Sequence, residues 1–342
     1  MKKMIWKLLS PYDLKNKIPL SDFWKESVNN NRKELNDIIN WKSSKKILII
    51  GPCSADYEES LLEYAKFLSE MQKKVEDKIK IVLRFYTGKP RTIWWWKWLQ
   101  NSVPWEIPNL IIWIENSRNI AIKIIETYSL PLADELLHPQ LIEHIDDIYS
   151  YFAIWARSTE NQFHREVSSW ISFPVGMKNP TSGDIKLMIN SIQASMTPSV
   201  YVIGNSIYET TWNNYTHGIL RWWLSWPNYW KEFINTAFEI FTERKIKNKA
   251  LIIDTNHDNS RKQYERQNEI MTEVISSISW DNNLKDFIKW FMVESYLYDG
   301  RQEFPCHPRA WHGDLKKWLS LTDPCIGKEK TEDLIMNLYK LV

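Results

Sequence analysis

Short apolar runs rich in β-branched residues recur along the chain, and most of them end in a polar or charged residue. Between them lie longer segments whose apolar positions repeat at i, i+3, i+4 and i+7, as in YEESLLEYAKFLSEMQKKVED. The strand-length runs occupy residues 45–54, 80–86, 130–137, 151–158, 173–178, 199–205, 249–257 and 287–295. Strands that alternate with helices predict a parallel sheet, and eight of them favour a closed (β/α)8 TIM barrel. Periodicity alone leaves an open, doubly wound sheet as the alternative.

The chain is longer than such a barrel requires. A (β/α)8 barrel takes about 250 residues, whereas this chain has 342. Residues 1–44 precede the first predicted strand and are helical in part, as in DFWKESVNNNRKELNDIIN. We therefore predict an N-terminal helical extension over residues 1–44 and one catalytic barrel over residues 45–342.

Charge and cysteine content exclude several classes of protein. Lys and Arg number 44 against 42 Asp and Glu, and this near balance argues against nucleic-acid binding. Three cysteines without metal-finger spacing fit a reducing compartment better than a disulfide framework. The apolar N-terminal run is broken by Lys7 and Pro11, and no run reaches the roughly 20 apolar residues of a membrane span. We expect a soluble, cytoplasmic protein without membrane partners.

Polar residues at the strand ends are the candidates for chemistry, because reactive groups of barrel enzymes sit at the carboxyl ends of the strands. These residues are Cys53, Arg84, Lys89, Arg91, Glu135, Arg157, Lys178, His257 and Glu294, with Arg221 and Asp323 in later loops. So many cations at one mouth would repel each other unless anions bind there. Substrates that carry phosphates and a carboxylate would supply those anions, with Arg giving bidentate contacts and Lys a point charge.

A second subset has the chemistry of a metal site. Its members are Cys53, His257, Glu294 and Asp323. A thiolate, an imidazole and carboxylates suit Mn, Fe, Co or Zn better than Mg or Ca. The four residues are far apart in sequence, so spacing alone does not assign them. Taken singly, a cysteine after a strand is usually a small buried hydrophobe.

Eight segments carry a resemblance to a known family. They are IIGPCSADYEESLLEYA, VLRFYTGKPRT, ARSTENQFHRE, PVGMKNPTSGDIK, ILR followed by PNY, IIDTNHDNSRKQ, VESYLYDGRQ and SLTDPCIG. In order and spacing they resemble type I 3-deoxy-D-arabino-heptulosonate 7-phosphate (DAHP) synthases of the microbial, aromatic-amino-acid-regulated kind. The resemblance implies a metal-dependent (β/α)8 barrel. It also implies condensation of phosphoenolpyruvate with erythrose 4-phosphate to give DAHP and phosphate, the first step of the shikimate pathway.

The resemblance also implies roles for individual residues. The positions that match the metal ligands of the family are Cys53, His257, Glu294 and Asp323. Those that match the cations around the phosphoenolpyruvate carboxylate are Arg84, Lys89 and Lys178. Arg157, Lys178 and Arg221 match the residues that bind the phosphate of phosphoenolpyruvate in the family, and Glu135 matches a residue that holds a water nearby. Arg91 and Thr92 of KPRT match the residues that bind the phosphate of erythrose 4-phosphate.

A mechanism follows as a hypothesis. The metal acts as a Lewis acid on the aldehyde oxygen of erythrose 4-phosphate, and the enol carbon of phosphoenolpyruvate attacks the aldehyde carbon. Water then adds at C2, and the phosphohemiketal loses phosphate. Lys89 is the candidate proton donor to the new alkoxide, because a lysine crowded by other cations should have a lowered pKa. The residues expected to act directly are Arg84, Lys89, Glu135 and His257.

Tryptophan stands where the family pattern has glycine. The chain has 20 Trp and 9 Gly, although glycine is usually about 7% of residues. The affected positions are Trp41, Trp95, Trp98, Trp113, Trp155, Trp170, Trp212, Trp222, Trp223, Trp226, Trp290 and Trp318, with Trp94, Trp105, Trp230 and Trp280 as further candidates. Overpacking at about twelve sites would exceed a typical folding stability. We hypothesise that these codons are UGA, read as glycine in the organism.

Two other functions stay open, together with the partners that the family implies. One alternative is a Schiff-base aldolase that uses Lys89 or Lys178. The other is a catalytically inactive oligomeric or regulatory homologue whose tryptophans form a binding face. The resemblance further implies feedback inhibition by an aromatic amino acid and assembly as a homodimer or homotetramer, with the N-terminal arm contributing to both.

Overall fold

Eight parallel strands close into a barrel in the computed structural model, which describes residues 4–89, 109–203, 206–222, 226–303 and 315–342. The barrel strands are β1 (Lys46–Gly51), β2 (Ile79–Arg84), β3 (Leu132–Glu135), β4 (Tyr151–Ile154), β5 (Val175–Lys178), β8 (Thr216–Leu220), β9 (Leu251–Asp254) and β10 (Ile288–Glu294). Each strand pairs with the barrel strand next to it in the chain, and β10 pairs with β1. The prediction of a (β/α)8 barrel is confirmed, and the doubly wound alternative is excluded.

One of the eight predicted strands is wrong. The run at 199–205 contributes β6 (Val200–Ile203), which pairs with β7 (Ser206–Glu209) in an antiparallel hairpin outside the barrel. Val200 and Val202 are 64% and 60% exposed, so this apolar run is not a core strand. The true sixth barrel strand is THGIL of β8, which lacks an apolar run because it carries Thr, His and Gly.

Helices lie between the strands as the periodicity predicts. They are α1 (Pro11–Lys17), α2 (Asp22–Ile39), α3 (Glu58–Val75), α4 (Leu110–Tyr128), α5 (Gln162–Trp170), α6 (Ile185–Ser195), α7 (Lys231–Glu243), α8 (Gln267–Ile278), α9 (Asn282–Phe287) and α10 (Lys328–Leu341), with short 3₁₀ helices at Pro139–His144 and Tyr264–Arg266. In α3 the buried face includes Leu61, Ala65, Leu68 and Val75, which is the predicted amphipathic pattern. None of the described helices combines the length and apolarity needed to cross a bilayer.

The N-terminal extension closes the amino-terminal end of the barrel. Leu35, Ile38 and Ile39 of α2 are fully buried and join the cluster of inward-facing strand residues that includes Ile47 and Val82. This packing explains why α2 is amphipathic although it precedes the first strand. The predicted helical extension is therefore present, and its second helix contributes to the barrel core.

A buried arginine fastens the connection between α1 and α2 to the barrel. Arg118 of α4 donates from Nε to the carbonyl of Ile18 at 2.7 Å. Its two terminal nitrogens each lie 2.7 Å from an oxygen of Asp147. Because the side chain of Arg118 is wholly buried, this bidentate pair ties three separate segments together.

Most of the described tryptophans at the suspected glycine positions lie at the surface. Trp41, Trp212, Trp226, Trp230, Trp280 and Trp318 are exposed, whereas Trp113 and Trp290 are buried. Trp155, Trp170 and Trp222 are partly buried. The predicted overpacking does not apply at the six exposed positions, because an exposed indole displaces no core atoms, and it stays a prediction at the buried and partly buried ones. The remaining suspected positions among residues 94–105, and Trp223, lie outside the described residues.

Backbone geometry marks two of these tryptophans as unusual. Trp41 has φ of 64° and Trp290 has φ of 135°, in the region that favours glycine. Trp41 follows the last turn of α2, where the amide of Lys42 donates to the carbonyl of Asp37 at 2.8 Å and the amide of Trp41 to that of Ile38 at 3.3 Å. This is a Schellman helix end, which usually has glycine at the position of Trp41.

Candidate active site

The strand ends bring the predicted residues to one mouth of the barrel. Arg84, Glu135, Lys178 and Glu294 are the last residues of β2, β3, β5 and β10. Cys53 and His257 follow β1 and β9 within three residues. Because all eight strands are parallel, these ends lie on the same side of the barrel.

Three of the four candidate metal ligands form one cluster there, and the fourth, His257, contacts one of its members. One ligand atom from each of Cys53, Glu294 and Asp323 lies within 4.8 Å of the other two. The Sγ atom of Cys53 is 3.6 Å from Oδ2 of Asp323 and accepts the Asp323 amide at 3.4 Å. The Nε2 atom of His257 is 3.7 Å from Oε1 of Glu294. This donor set fits a divalent transition metal.

Burial and neighbouring charges shift the pKa values of two residues in this cluster. Burial raises the pKa of Cys53 to about 12, and the charge of Glu294 adds to the effect. A bound cation would have to displace the thiol proton. For Asp323, burial alone would raise the pKa, but His257 and Lys89 outweigh it and lower the value.

Asp254 orients His257 and was not predicted from the sequence. It is the last residue of β9, and Nδ1 of His257 lies 3.0 Å from one carboxylate oxygen and 3.1 Å from the other. Burial alone would raise the pKa of Asp254, but His257 and Lys178 hold it well below its usual range. His257 has φ of 52°, a strained backbone of the kind found at functional sites. The signal available in the sequence was the acidic end of the run LIID.

Glu294 links the other candidate metal ligands to the candidate substrate site. Its Oε1 atom accepts a hydrogen bond from Nη2 of Arg84 at 2.8 Å, and both side chains are fully buried. Its other oxygen accepts from Asn256. The side chain of Gln267 bonds to both the amide and the carbonyl of Glu294, at 2.8 and 2.9 Å. Asn256 and Gln267 were also missed, since their partners are far away in sequence.

A second buried ion pair lies beside the first. Nζ of Lys178 is 2.7 Å from Oε1 of Glu135 and 3.9 Å from Oδ2 of Asp254. Burial alone would raise the pKa of Glu135, but Lys178 and Lys89 lower it to about 2. Glu135 is therefore a carboxylate at neutral pH.

The predicted pKa of Lys89 is wrong in direction. Burial alone would lower it, but the neighbouring Cys53, Glu135 and Glu294 outweigh burial and raise the pKa of Lys89. The sequence-based argument considered only the surrounding cations, whereas the folded chain places anionic groups closer. Lys89 is consequently protonated at neutral pH.

Two buried guanidinium nitrogens point to an anionic ligand. Nη1 of Arg84 and Nε of Arg221 have no hydrogen-bond partner within the described part of the chain. Buried donors without partners are costly, and an anion bound at the mouth would satisfy them. The backbone of Arg221 is fixed by Asn179, whose Oδ1 accepts the Arg221 amide at 2.8 Å.

The structure describes only some of the other predicted phosphate ligands. Arg157 lies three residues beyond the end of β4, with its guanidinium 4.3 Å from the ring centre of Trp155. Arg91 and Thr92 lie outside the described residues. The carbonyl of Trp222, next to Arg221, accepts hydrogen bonds from Asn179 and Asn228 at 2.6 and 2.7 Å. The loop after β8 is thus held by side-chain amides.

Comparison with known proteins agrees with this geometry. The DAHP synthetase I family matches residues 25–335. A phospho-2-dehydro-3-deoxyheptonate aldolase of Corynebacterium glutamicum is 32% identical over 98% of this chain and 92% of its own length. The Tyr-sensitive enzyme of that name from Escherichia coli K12 is 32% identical over 97% of this chain and 92% of its own length. A Trp-sensitive enzyme from Enterobacter agglomerans is 32% identical over 99% of this chain and 96% of its own length.

A solved structure gives the same result. The phospho-2-dehydro-3-deoxyheptonate aldolase of Francisella tularensis superimposes with a TM-score of 0.92, at 29% identity, over 100% of this chain and 98% of that one. The match covers both the barrel and the N-terminal extension. The resemblance found in the sequence motifs is therefore confirmed, and the chain belongs to the DAHP synthetase I family.

Proposed function

We propose that this chain condenses phosphoenolpyruvate with erythrose 4-phosphate to give DAHP and phosphate. The observation that carries the proposal is the position of Glu294, which contacts Arg84 at 2.8 Å and lies within 4.8 Å of Cys53 and Asp323 as measured between ligand atoms. The carboxylate of Glu294 thus lies between the arginine that would bind an anionic substrate and the residues that would bind a metal. This pairing suits a reaction between an anionic enol phosphate and an aldehyde.

Phosphoenolpyruvate would bind through the cations at the strand ends. Arg84, Lys89 and Lys178 would hold its carboxylate, and Arg84 has a buried nitrogen available for it. Arg157, Arg221 and Lys178 would hold its phosphate. Arg91 and Thr92 would hold the phosphate of erythrose 4-phosphate. Arg84 and Lys178 are fully buried, and buried cations bind such groups more strongly than exposed ones.

The metal would be held by Cys53, His257, Glu294 and Asp323. When bound, a divalent transition metal supplies Lewis acidity for an aldehyde oxygen. The thiol and imidazole favour Mn, Fe, Co or Zn over Mg or Ca. Asp254 fixes the imidazole of His257, and Arg84 fixes the carboxylate of Glu294, so the ligands are supported before a metal arrives.

The remaining chemistry falls to the side chains. C3 of phosphoenolpyruvate forms a bond to the aldehyde carbon, and the aldehyde oxygen takes a proton from Lys89. The positive charge left at C2 is taken up by water, which the carboxylate of Glu135 orients, and one proton of that water restores the ammonium of Lys89. The bond between C2 and the phosphate oxygen then breaks, the remaining hydroxyl proton leaves with phosphate, and the C2 carbonyl of DAHP forms. Lys89 can supply this proton because its raised pKa keeps it protonated at neutral pH, although a general acid with a pKa nearer to neutral would give up the proton more readily.

The test follows phosphoenolpyruvate absorbance after addition of erythrose 4-phosphate and manganese. Turnover should need both substrates, stop with a chelator and return with metal. A Cys53→Ser variant should lose activity, whereas Cys325→Ser should keep it, because Cys325 is a buried thiol outside the proposed ligand set. A folded, metal-loaded protein that consumes no phosphoenolpyruvate would contradict the proposal.

The two alternative functions are less well supported. A Schiff-base aldolase needs a neutral amine, but Lys178 is 2.7 Å from a carboxylate and the pKa of Lys89 is raised. Borohydride should therefore trap no substrate on the chain. An inactive homologue is not favoured either, since the candidate ligands and the described substrate-site cations are all present.

We further propose feedback control by an aromatic amino acid and assembly of a homodimer or homotetramer. Relatives carry the names Tyr-sensitive and Trp-sensitive. The extension over residues 1–44 presents exposed Met4, Ile5 and Trp6, and the β6–β7 hairpin presents Val200, Val202 and Ile207. Exposed apolar groups of this kind are typical of interfaces. Inhibitor titration with Tyr, Trp and Phe, combined with sedimentation analysis, tests both proposals.

A further inference from the structure

We propose that Asp134 is a positioning residue, which holds the loop carrying Lys89 against the strand end carrying Glu135. This inference rests on the proposed function, because Lys89 and Glu135 have their roles only in that reaction. Asp134 is itself in β3, directly before Glu135, and its side chain is buried.

The contacts of Asp134 join two neighbouring strand ends. Its Oδ2 atom accepts the hydroxyl of Thr87 at 2.9 Å. Its Oδ1 atom accepts the amide of Thr87 at 3.3 Å and the amide of Glu135 at 2.7 Å. One carboxylate therefore holds both the backbone and the side chain of Thr87, two residues before Lys89.

This bridge continues the pairing of the two strands beyond the sheet. The ladder between β2 and β3 ends at Arg84 and Ala133, and the last backbone bond runs from the Phe85 amide to the Ala133 carbonyl at 2.8 Å. Past this point the chain turns away towards Lys89, and the Asp134 side chain replaces the missing backbone partner. Without it, the Thr87 amide would lose its described hydrogen bond, and the Thr87 hydroxyl would keep only its contact with Tyr149.

Among the described residues, the partners of Asp134 are hydroxyl and amide groups and include no cation. Burial raises its pKa to about 7, and hydrogen bonds from Thr87, the Glu135 amide and Tyr149 only partly oppose this effect. Burying a carboxylate without a cation is costly. The carboxylate therefore supplies hydrogen bonds to the loop of Lys89 and to the end of β3, which is consistent with a role in placing Lys89 and Glu135.

The amide of asparagine provides a conservative replacement. In Asp134→Asn, the carbonyl oxygen can still accept both amides, and the NH₂ group can donate to the Thr87 hydroxyl. Asp134→Ala removes these three contacts and the hydrogen bond from the Tyr149 hydroxyl, whereas Thr87→Val removes the Thr87 hydroxyl alone. Thr216→Val is a matched control, because this buried hydroxyl at the opposite end of the barrel has no partner within the described residues.

The experiment compares turnover with phosphoenolpyruvate affinity in these variants. Displacement of a catalytic group by about 1 Å can cost on the order of a hundredfold in rate. We expect Asp134→Ala and Thr87→Val to lower kcat by roughly ten- to a hundredfold, with the Kd of phosphoenolpyruvate, measured by calorimetry, changed much less. Asp134→Asn should recover most of the rate, and Thr216→Val should match the wild type.

The outcomes separate this inference from the proposed function. An inactive wild type would contradict the function itself. An active wild type with an unaffected Asp134→Ala variant, or equal losses in Asp134→Ala and Asp134→Asn, would overturn the positioning role. A parallel fall of kcat and phosphoenolpyruvate affinity would also overturn it. If Asp134→Ala does not fold, Thr87→Val decides, and wild-type kcat in that variant overturns the inference.

Discussion

The imidazole of His257 and the carboxylate of Asp254 lie in contact, with Nδ1 3.0 and 3.1 Å from the two carboxylate oxygens. An ionised carboxylate can only accept, so Nδ1 carries a hydrogen, and the neutral tautomer that this contact favours has its lone pair on Nε2. Nε2 is the nitrogen that lies 3.7 Å from Glu294. Asp254 is also 3.9 Å from Nζ of Lys178. Its side chain therefore connects the candidate metal ligands with the lysine proposed to bind the substrate.

The first prediction concerns metal affinity in Asp254→Asn. An asparagine amide can donate to Nδ1 and thereby favour the tautomer with hydrogen on Nε2, which cannot bind a metal. We expect the affinity for manganese or zinc to fall about 10- to 100-fold, as for other partners of metal-binding histidines. Competition with a chromophoric chelator measures the affinity without substrate. The exposed Asp333→Asn serves as the control, and equal affinities in all three proteins would exclude this role of Asp254.

The second prediction separates proton transfer from binding at Lys89. Lys89→Met should lower kcat by roughly 10²- to 10⁴-fold, the usual contribution of a general acid. The Kd of phosphoenolpyruvate should rise far less, because Arg84 and Lys178 would remain. Stopped-flow absorbance gives the rate, and calorimetry gives the Kd. Lys73→Met on the exposed face of α3 controls for the loss of a lysine, and equal losses of rate and affinity would contradict the donor role.

The third prediction links a barrel histidine to stability at mild acid pH. The Nε2 atom of His217 is 2.8 Å from the Tyr151 hydroxyl, and Nδ1 is 3.0 Å from the carbonyl of Tyr215. Burial lowers the pKa of His217 to about 4, against an ordinary value of 6.5. The unfolded chain therefore binds a proton that the folded chain excludes. Stability from this residue is complete above pH 6.5 and is lost as the pH falls from there towards 4.

Urea unfolding of chelator-treated protein at pH 7.5 and pH 5 measures this effect. His217 should account for a loss of roughly 2 kcal/mol in the free energy of unfolding between these two pH values. His217→Gln is less stable at pH 7.5 but should lose about 2 kcal/mol less than the wild type on acidification. Identical pH dependence in both proteins would show that the pKa of His217 in the folded barrel is the same as in the unfolded chain.

The sequence predicts the barrel and the strand-end residues well, because both follow from local patterns. Apolar runs that end in Arg84, Glu135 or Lys178 identify a strand and its functional end together. The β8 strand was missed because His217 is tolerated in the interior only through its bond to Tyr151. That partner is in another strand, and no local pattern reveals it.

The supporting contacts of the site were harder to predict for the same reason. Gln267 and Asn256 act through Glu294 on another strand, so their positions carry no signal of their own, and Asp254 carried only the acidic end of the run LIID. The pKa of Lys89 was predicted in the wrong direction because the outcome depends on distances to Glu135 and Glu294. Such distances exist only in the folded chain.

The fourth prediction concerns the residues written as Trp41 and Trp290. Their φ values of 64° and 135° favour glycine, and the second lies where the register of β10 on β9 shifts. We propose that both codons are UGA and are read as glycine in the organism. Peptides of the protein purified from its native source should carry glycine at both positions by mass spectrometry. UGG codons there, or at Trp222 and Trp223, would contradict the proposal.

Paired substitutions test the backbone argument independently of the codons. Alanine and glycine both remove the indole, but only glycine tolerates a positive φ without strain. We therefore expect Trp41→Gly and Trp290→Gly to be more stable than Trp41→Ala and Trp290→Ala by about 1–2 kcal/mol in urea unfolding. Trp280, which is 96% exposed and is not among the positive-φ residues, is the control. There, alanine should be at least as stable as glycine, and the same order at all three positions would refute the assignment.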